Sequence, residues 1–356
     1  MIRKLFIALL IIALIPLVYS QEYKFYALSN DGSNTEPVYL CKLDGETGAI
    51  SVIERFAGVV QGNYFALSND NLSLLVTSKN KSNDEGGLVQ YSINYDGRLV
   101  YVSEQLKPGD LPCHVSVTPD SAYALSANYG DDEISLYTFS DNELSEEIDH
   151  IVKADQSKGH YISTDPSGKF VHAVFLGLNK VFNYLIENNA FVENPDQATF
   201  SVPNGYGPRH MVFHPEKDFV YILNETHSSV TACSYNSETG ALSEIQNISM
   251  LPDGYTGTSN AAAIKIHPNG NYLYASNRGH NSIVVYEITT EGSLVFIEHE
   301  TAGINFPRDF GISPDGLYMI VANQKGTSVI SLEIDESTGK LTNTGKFLAM
   351  QKPLAI

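Results

Sequence analysis

The sequence predicts an all-β protein, a seven-bladed β-propeller of four-stranded blades whose ring is closed by the N- and C-terminal strands sharing one blade. Two turn series with a common period predict it, together with the absence of any long, capped helical period. The first series reads roughly D-x-T-G-x-L and recurs as DGETGAI, NYDGRL, SDNEL, ENNAF, NSETGAL, TTEGSL and DESTGKL. Its apolar closing residues are Ile50, Leu99, Leu144, Phe191, Leu242, Leu294 and Leu341, spaced by 45 to 52 residues. That interval is the length of one propeller blade and too long for a leucine-rich repeat. Seven turns imply seven blades.

The second series, SNDN, TPDS, DPSG, HPEK, HPNG and SPDG, is anchored on Asn69, Pro119, Pro166, Pro215, Pro268 and Pro314. Each member lies between two runs of strand character, as in HMVFHPEKDFVYILNE, and so joins two adjacent strands through a short turn. There are six members, not seven. The C-terminal QKPLAI resembles the strand before such a turn and the N-terminal YKFYALSN the strand after one. Shared between the chain ends, these two strands complete the missing blade and leave no open sheet edge. With no Trp in the chain, a tryptophan-dependent propeller repeat is excluded.

Residues 1–20 carry Arg3 and Lys4, then an apolar run from Leu5 to Val18, then Val18-Tyr19-Ser20. This is the pattern of a secretory signal peptide cleaved after Ser20, and it predicts a secreted or periplasmic protein with one propeller domain over 21–356. The competing reading is an uncleaved membrane anchor, since the apolar run is long; after cleavage no stretch is apolar enough to span a bilayer. The whole chain holds 22 basic and 41 acidic residues, a net charge of −19, and loss of Arg3 and Lys4 makes it −21. Such a surface repels nucleic acid and anionic lipid. Cys41, Cys113 and Cys233 have no metal-like spacing and, being odd in number, form no disulfide framework, although one bridge is compatible with export. Asn71-Leu72-Ser73, Asn80-Lys81-Ser82 and Asn247-Ile248-Ser249 are acceptor sequences in a host that glycosylates.

Aligning the second turn series places equivalent residues in register. Six positions before the Pro anchors stand Cys113, His160, Arg209, Ala262 and Arg308; five before stand His114, Tyr161, His210, Ala263 and Asp309. Ten after the turn stand Lys79, Tyr129, Leu176, Glu225, Arg278 and Gln324, preceded in four blades by Asn128, Asn224, Asn277 and Asn323, which are read as structural caps. Outside the leader the chain has five arginines, and Arg209, Arg278 and Arg308 all fall on these strand ends. A positive cluster in an acidic protein points to an anion, because planar guanidinium groups hold carboxylate or phosphate bidentately. Arg209, Arg278, Arg308 and Gln324 are therefore the expected anion-binding residues. Glu225 either neutralises Arg209 as a buried ion pair or, with His160, serves in proton transfer. The strand alternation predicts that His114 and His210 face away from the site as packing residues.

The segments GPRHMVFHPEKDFVYILNE, NAAAIKIHPNGNYLYASNRGHNSIVVYEI, PCHVSVTPDSAYALSANYG and FPRDFGISPDGLYMIVANQ resemble the lactonase-type seven-bladed propellers. That family includes the propeller form of 6-phosphogluconolactonase and the fungal carboxy-muconate lactonising enzyme, and the resemblance runs from about residue 23 to the C-terminus. It implies channel-mouth catalytic groups His160, Arg209, Glu225 and Arg278, and a hydrolase opening a sugar-type lactone with no metal or cofactor. The sequence departs from the family where it reads GHYIS and FLG, putting Phe175 where an Asp is common. The expected partner is a small anionic lactone or carboxylate. A non-catalytic propeller binding an acidic ligand or protein, and a muconate-type cycloisomerase, are the alternatives.

Overall fold

A computed structural model describes residues 21–30, 35–80, 82–140 and 142–356; the leader over 1–20 and its cleavage point lie outside the described residues. Among these the strands group into seven antiparallel sheets. Six follow the chain as consecutive four-strand meanders, for example Pro208–Phe213, Phe219–Asn224, Ser229–Asn236 and Ala241–Ser249. The remaining sheet, counted as the first blade, is composite. Pro353–Ala355 pairs with Glu22–Ser29, which continues to Val38–Asp44 and Ile50–Phe56. The two chain ends thus share a blade, as the unequal numbers of the two turn series require. One detail departs from four continuous strands: in the fourth blade the outer strand is split into Ala190–Glu193 and Thr199–Ser201, both pairing with Lys180–Glu187.

Burial follows position in the blade. Second strands are covered on both faces and read as continuous apolar runs, as in Tyr318–Asn323, every residue of which is buried. Outer strands alternate, as in Glu143–Val152, where Glu146, Ile148, His150 and Val152 are exposed and the residues between them are half-buried. The core is accordingly a set of clusters lodged between successive blades, such as Leu223, Val230, Leu273 and Val284.

Two kinds of polar contact lock neighbouring blades. The closing leucines of the first turn series are clamped from the preceding blade: the Leu242 N–H donates to Gln197 Oε1 at 2.8 Å while Gln197 Nε2 donates to the Leu242 carbonyl at 3.0 Å. Gln246 repeats the clamp on Leu294 at 2.7 and 3.1 Å. In the second series His214 and His267 each contact a glycine carbonyl of the next blade, Gly270 and Gly316, at 3.0 Å. Each turn motif is therefore also a blade-to-blade joint, a reason for it to recur. The recurrent asparagines are buried at the ends of the second strands. Asn323, for instance, donates to the Gly303 carbonyl at 2.8 Å and accepts the Asn305 N–H at 2.9 Å.

The three cysteines are buried, unpaired thiols. No helix among the described residues is long and apolar enough to cross a membrane.

Candidate active site

Every inner strand breaks its pairing register near its start. Pro208 pairs with Asn224 and His210 with Leu223, leaving Arg209 as an extra residue. Cys113, His160, Arg308 and Leu354 occupy the same bulge in their blades. A bulge places two residues opposite one and re-aims their side chains. It also changes the orientation expected of His114 and His210, while the packing role expected of them agrees with their absence from the cavity lining. Both rings come to the same place as His160: His210 lies 5.4 Å from His160 and 5.4 Å from His114, with Tyr64 stacked on His114 at 4.6 Å. Strict alternation fails here because the extra residue resets it. His210 Nε2 meets Arg209 Nη1 at 3.0 Å, so these histidines support the site from below.

Above them lies a cavity of about 360 Å³ lined by Asn63, Cys113, Tyr129, His160, Arg209 and Arg308 among others, with Glu225 and Arg278 on its wall. The residues come from the bulges and second-strand ends of six blades, so the ring closure itself assembles the pocket. Glu225 is its hub. Its Oε2 stands 2.8 Å from Arg209 Nε, its Oε1 2.8 Å from Arg278 Nη2, and His160 Nε2 is 4.0 Å from Oε2. The arginines are further fixed by backbone: Arg209 donates to the Ala262 carbonyl, and Arg278 to that of Ala261 at 3.0 Å.

Arg308 is different. Its one hydrogen-bond partner among the described residues is Asn63 Oδ1 at 2.6 Å, and it forms no ion pair among them. Burial, and then the neighbouring Arg209 and Arg278, push its pKa down to about 10. Three guanidinium groups thus line the cavity with one carboxylate, Glu225, which pairs with two of them, since the other lining carboxylate, Asp110, is drawn to Lys79 at 3.0 Å. A buried excess of positive charge is costly unless an anion joins it. Burial and then Arg209 and Arg308 hold the His160 imidazole well below its ordinary range, leaving it neutral at physiological pH.

The structure brings His160, Arg209, Glu225, Arg278 and Arg308 together, and leaves Gln324 outside the cavity lining. The backbone N–H of Gln324 donates to the Phe306 carbonyl at 3.1 Å. Phe175 contributes nothing polar either; it is fully buried and edge-on to Phe182 at 5.3 Å. Asn63 and Tyr129 are among the lining residues not selected from the sequence. Asn63 occupies the offset of Arg209 and Arg308, but counted from the Asn-anchored turn at Asn69 instead of from a proline. Tyr129 shares the offset of Glu225 and Arg278, and its ring meets that of His160 edge-on at 5.8 Å.

Comparison with known proteins agrees with this architecture. The model of the family described as lactonase, 7-bladed beta-propeller, matches residues 24–356. The 6-phosphogluconolactonase of Bacillus subtilis is 30% identical over 94% of this chain and 98% of its own length. Among solved structures, a Lactobacillus plantarum protein superposes with a TM-score of 0.87 at 25% identity, over 94% of this chain and 98% of that one. A Bacteroides fragilis protein described as a candidate 6-phosphogluconolactonase does so with a TM-score of 0.84 at 25% identity, over 94% and 97%. Matched along nearly its whole described length, the chain belongs to the lactonase family of seven-bladed β-propellers.

Proposed function

We propose that this protein hydrolyses a sugar-type lactone at the cavity around Glu225. The observation that carries the reading is the arrangement of Arg209, Arg278 and Arg308 about one carboxylate, with the neutral His160 imidazole 4.0 Å from it. The lactone carbonyl oxygen, or a carboxylate or phosphate elsewhere on the substrate, takes up the unneutralised charge near Arg308. Water adds to the carbonyl carbon; its proton passes to His160, whose developing imidazolium faces Glu225, and the oxyanion is stabilised by the guanidinium groups. Collapse of the tetrahedral intermediate breaks the ring C–O bond, and the proton returns to the departing alkoxide, giving the hydroxy acid. His160, Arg209 and Glu225 are the catalytic groups of this reading, and Arg209, Arg278 and Arg308 the anion-binding ones.

One observation favours a second reading. Both Glu225 oxygens are engaged by guanidinium groups, which suits a site that only binds an acid. Purified protein incubated with δ-gluconolactone and with its 6-phosphate separates the two: faster ring opening than in buffer supports hydrolysis, whereas saturable binding of gluconate with an unchanged opening rate leaves a binding protein. Loss of the diene absorbance of a carboxy-muconate in place of either would favour cycloisomerisation.

The leader pattern over 1–20 supports an exported protein, and a lactone met outside the cytoplasm is expected to be unphosphorylated. N-terminal sequencing of the exported protein should begin at Gln21; an N-terminus at Met1 on membrane-bound protein contradicts this.

A further inference from the structure

Phe306 stands just before Pro307, where the chain enters the inner strand of the seventh blade, and its φ is 58°. A bulky residue in the left-handed region is an outlier, and the residue before a proline is biased toward extended backbone. In the fifth blade the corresponding position before Pro208 is Gly207, φ 62°, where the same conformation costs little. Strain of this kind persists only where the surroundings over-determine it, and it clusters at functional sites.

The surroundings here are specific. The Phe306 N–H donates to Asn281 Oδ1 at 3.0 Å and its carbonyl accepts the Gln324 N–H at 3.1 Å. Asn281 Oδ1 also accepts the N–H of Gly279 at 3.2 Å, so one amide ties Phe306 to the turn that immediately follows Arg278. The ring is thereby held against the Arg278 guanidinium, whose Cζ is 5.7 Å from the ring centroid. Arg278 Nε is buried with no hydrogen-bond partner among the described residues, while Nη2 reaches Glu225 and the Ala261 carbonyl. The second cation on the same ring is Lys325, with Nζ 3.8 Å from the centroid, and this side chain is exposed.

We infer that Phe306 is a positioning residue: its strained turn sets the ring against Arg278, fixing the guanidinium with its Nη2 edge toward Glu225 and the cavity, while Lys325 on the same ring adds positive field beside the site. The ring is not part of the cavity lining, so it acts through Arg278. The inference rests on the anion-binding reading above.

Three variants test it, with inorganic phosphate as the calorimetric probe, δ-gluconolactone as substrate and thermal unfolding as the third measurement. Phe306→Gly and Phe306→Asn both tolerate the left-handed backbone and lack the ring. They should keep or raise the unfolding midpoint while phosphate affinity falls about five- to thirtyfold, the loss expected for a partly desolvated cation–π contact, and KM rises with kcat less affected. Phe306→Tyr keeps a ring and should retain the wild-type constants. A lowered midpoint with unchanged phosphate affinity and KM overturns the inference and makes Phe306 a packing residue. Wild-type protein that binds no phosphate and leaves the lactone untouched overturns the anion site itself, and the role of the ring with it.

Discussion

Arg209 Nε lies 2.8 Å from Glu225 Oε2 across the first two strands of one blade, and the same carboxylate reaches Arg278 of the next blade through its other oxygen. Removing the negative charge while keeping the shape should leave three guanidinium groups facing one another. Glu225→Gln is expected to lose about 3 kcal/mol of stability and to recover part of it in phosphate, which can replace the missing charge by binding the folded state. Chemical unfolding with and without phosphate reads this out; a variant as stable as wild type and indifferent to phosphate would show the cluster to be electrostatically relaxed.

Arg209 also has a specific geometry to keep, since it serves Glu225, His210 and the Ala262 carbonyl at once. Lysine cannot reproduce that fork. Arg209→Lys should therefore fold yet lose roughly 10²–10³ in kcat on δ-gluconolactone, the scale of one lost oxyanion donor. Retention of more than half the wild-type kcat would remove Arg209 from the mechanism.

His160 is held neutral by burial and by Arg209 and Arg308. Because its pKa is depressed, the basic form persists as pH falls, so the acid limb of the rate profile should lie well below pH 6.5. His160→Gln should lower kcat/KM by about 10²–10⁴ and abolish that limb. An acid limb at or above pH 6.5 in the wild type would assign the proton to another group.

The same physics sets acid stability. Burial draws the pKa of His114 down to about 3 and that of His172 to about 4, so below pH 6.5 the unfolded chain binds protons that the folded chain refuses. Their contribution is complete above pH 6.5 and is lost as pH falls toward the folded values, by roughly 2–3 kcal/mol for each between pH 6.5 and 4.5. Denaturation midpoints at the two pH values should differ accordingly. The double variant His114→Gln/His172→Gln should reduce the slope in this window, leaving the part due to the similarly depressed His160 and His210, and an unaltered slope would exclude these residues as a source.

Deleting residues 353–356 tests the closure of the ring. The deletion removes buried Leu354 and Ala355 and the Ile356 N–H that donates to Asp309 Oδ2 at 3.1 Å, and it exposes the edge of Glu22–Ser29. The truncated protein is expected to melt several degrees lower and to self-associate in size-exclusion chromatography, because an uncovered strand edge is a pairing template. A monomer with wild-type stability would show that the shared blade does not close the ring.

Seven blades, their four-strand length and the pairing of the chain ends were all legible in the sequence, since each depends on local turn chemistry repeated at a fixed interval. Arg209, Glu225, Arg278, Arg308 and His160 were legible for the same reason: equivalent offsets from equivalent turns reach equivalent places in a ring. Tertiary structure decided the rest. A shared offset does not by itself bring a side chain to the cavity: Glu225 and Gln324 make the equivalent backbone bond, to Gly207 and to Phe306, yet Glu225 and Arg278 line the cavity and Gln324 does not. The packing of the His114, His210 and His160 rings together follows from bulges that change the pairing count by one residue, a change that strand alternation does not encode. The excess of three arginines over the one carboxylate, Glu225, that pairs with two of them exists only once the blades converge, because charge balance in a buried site is a sum over elements far apart in the chain.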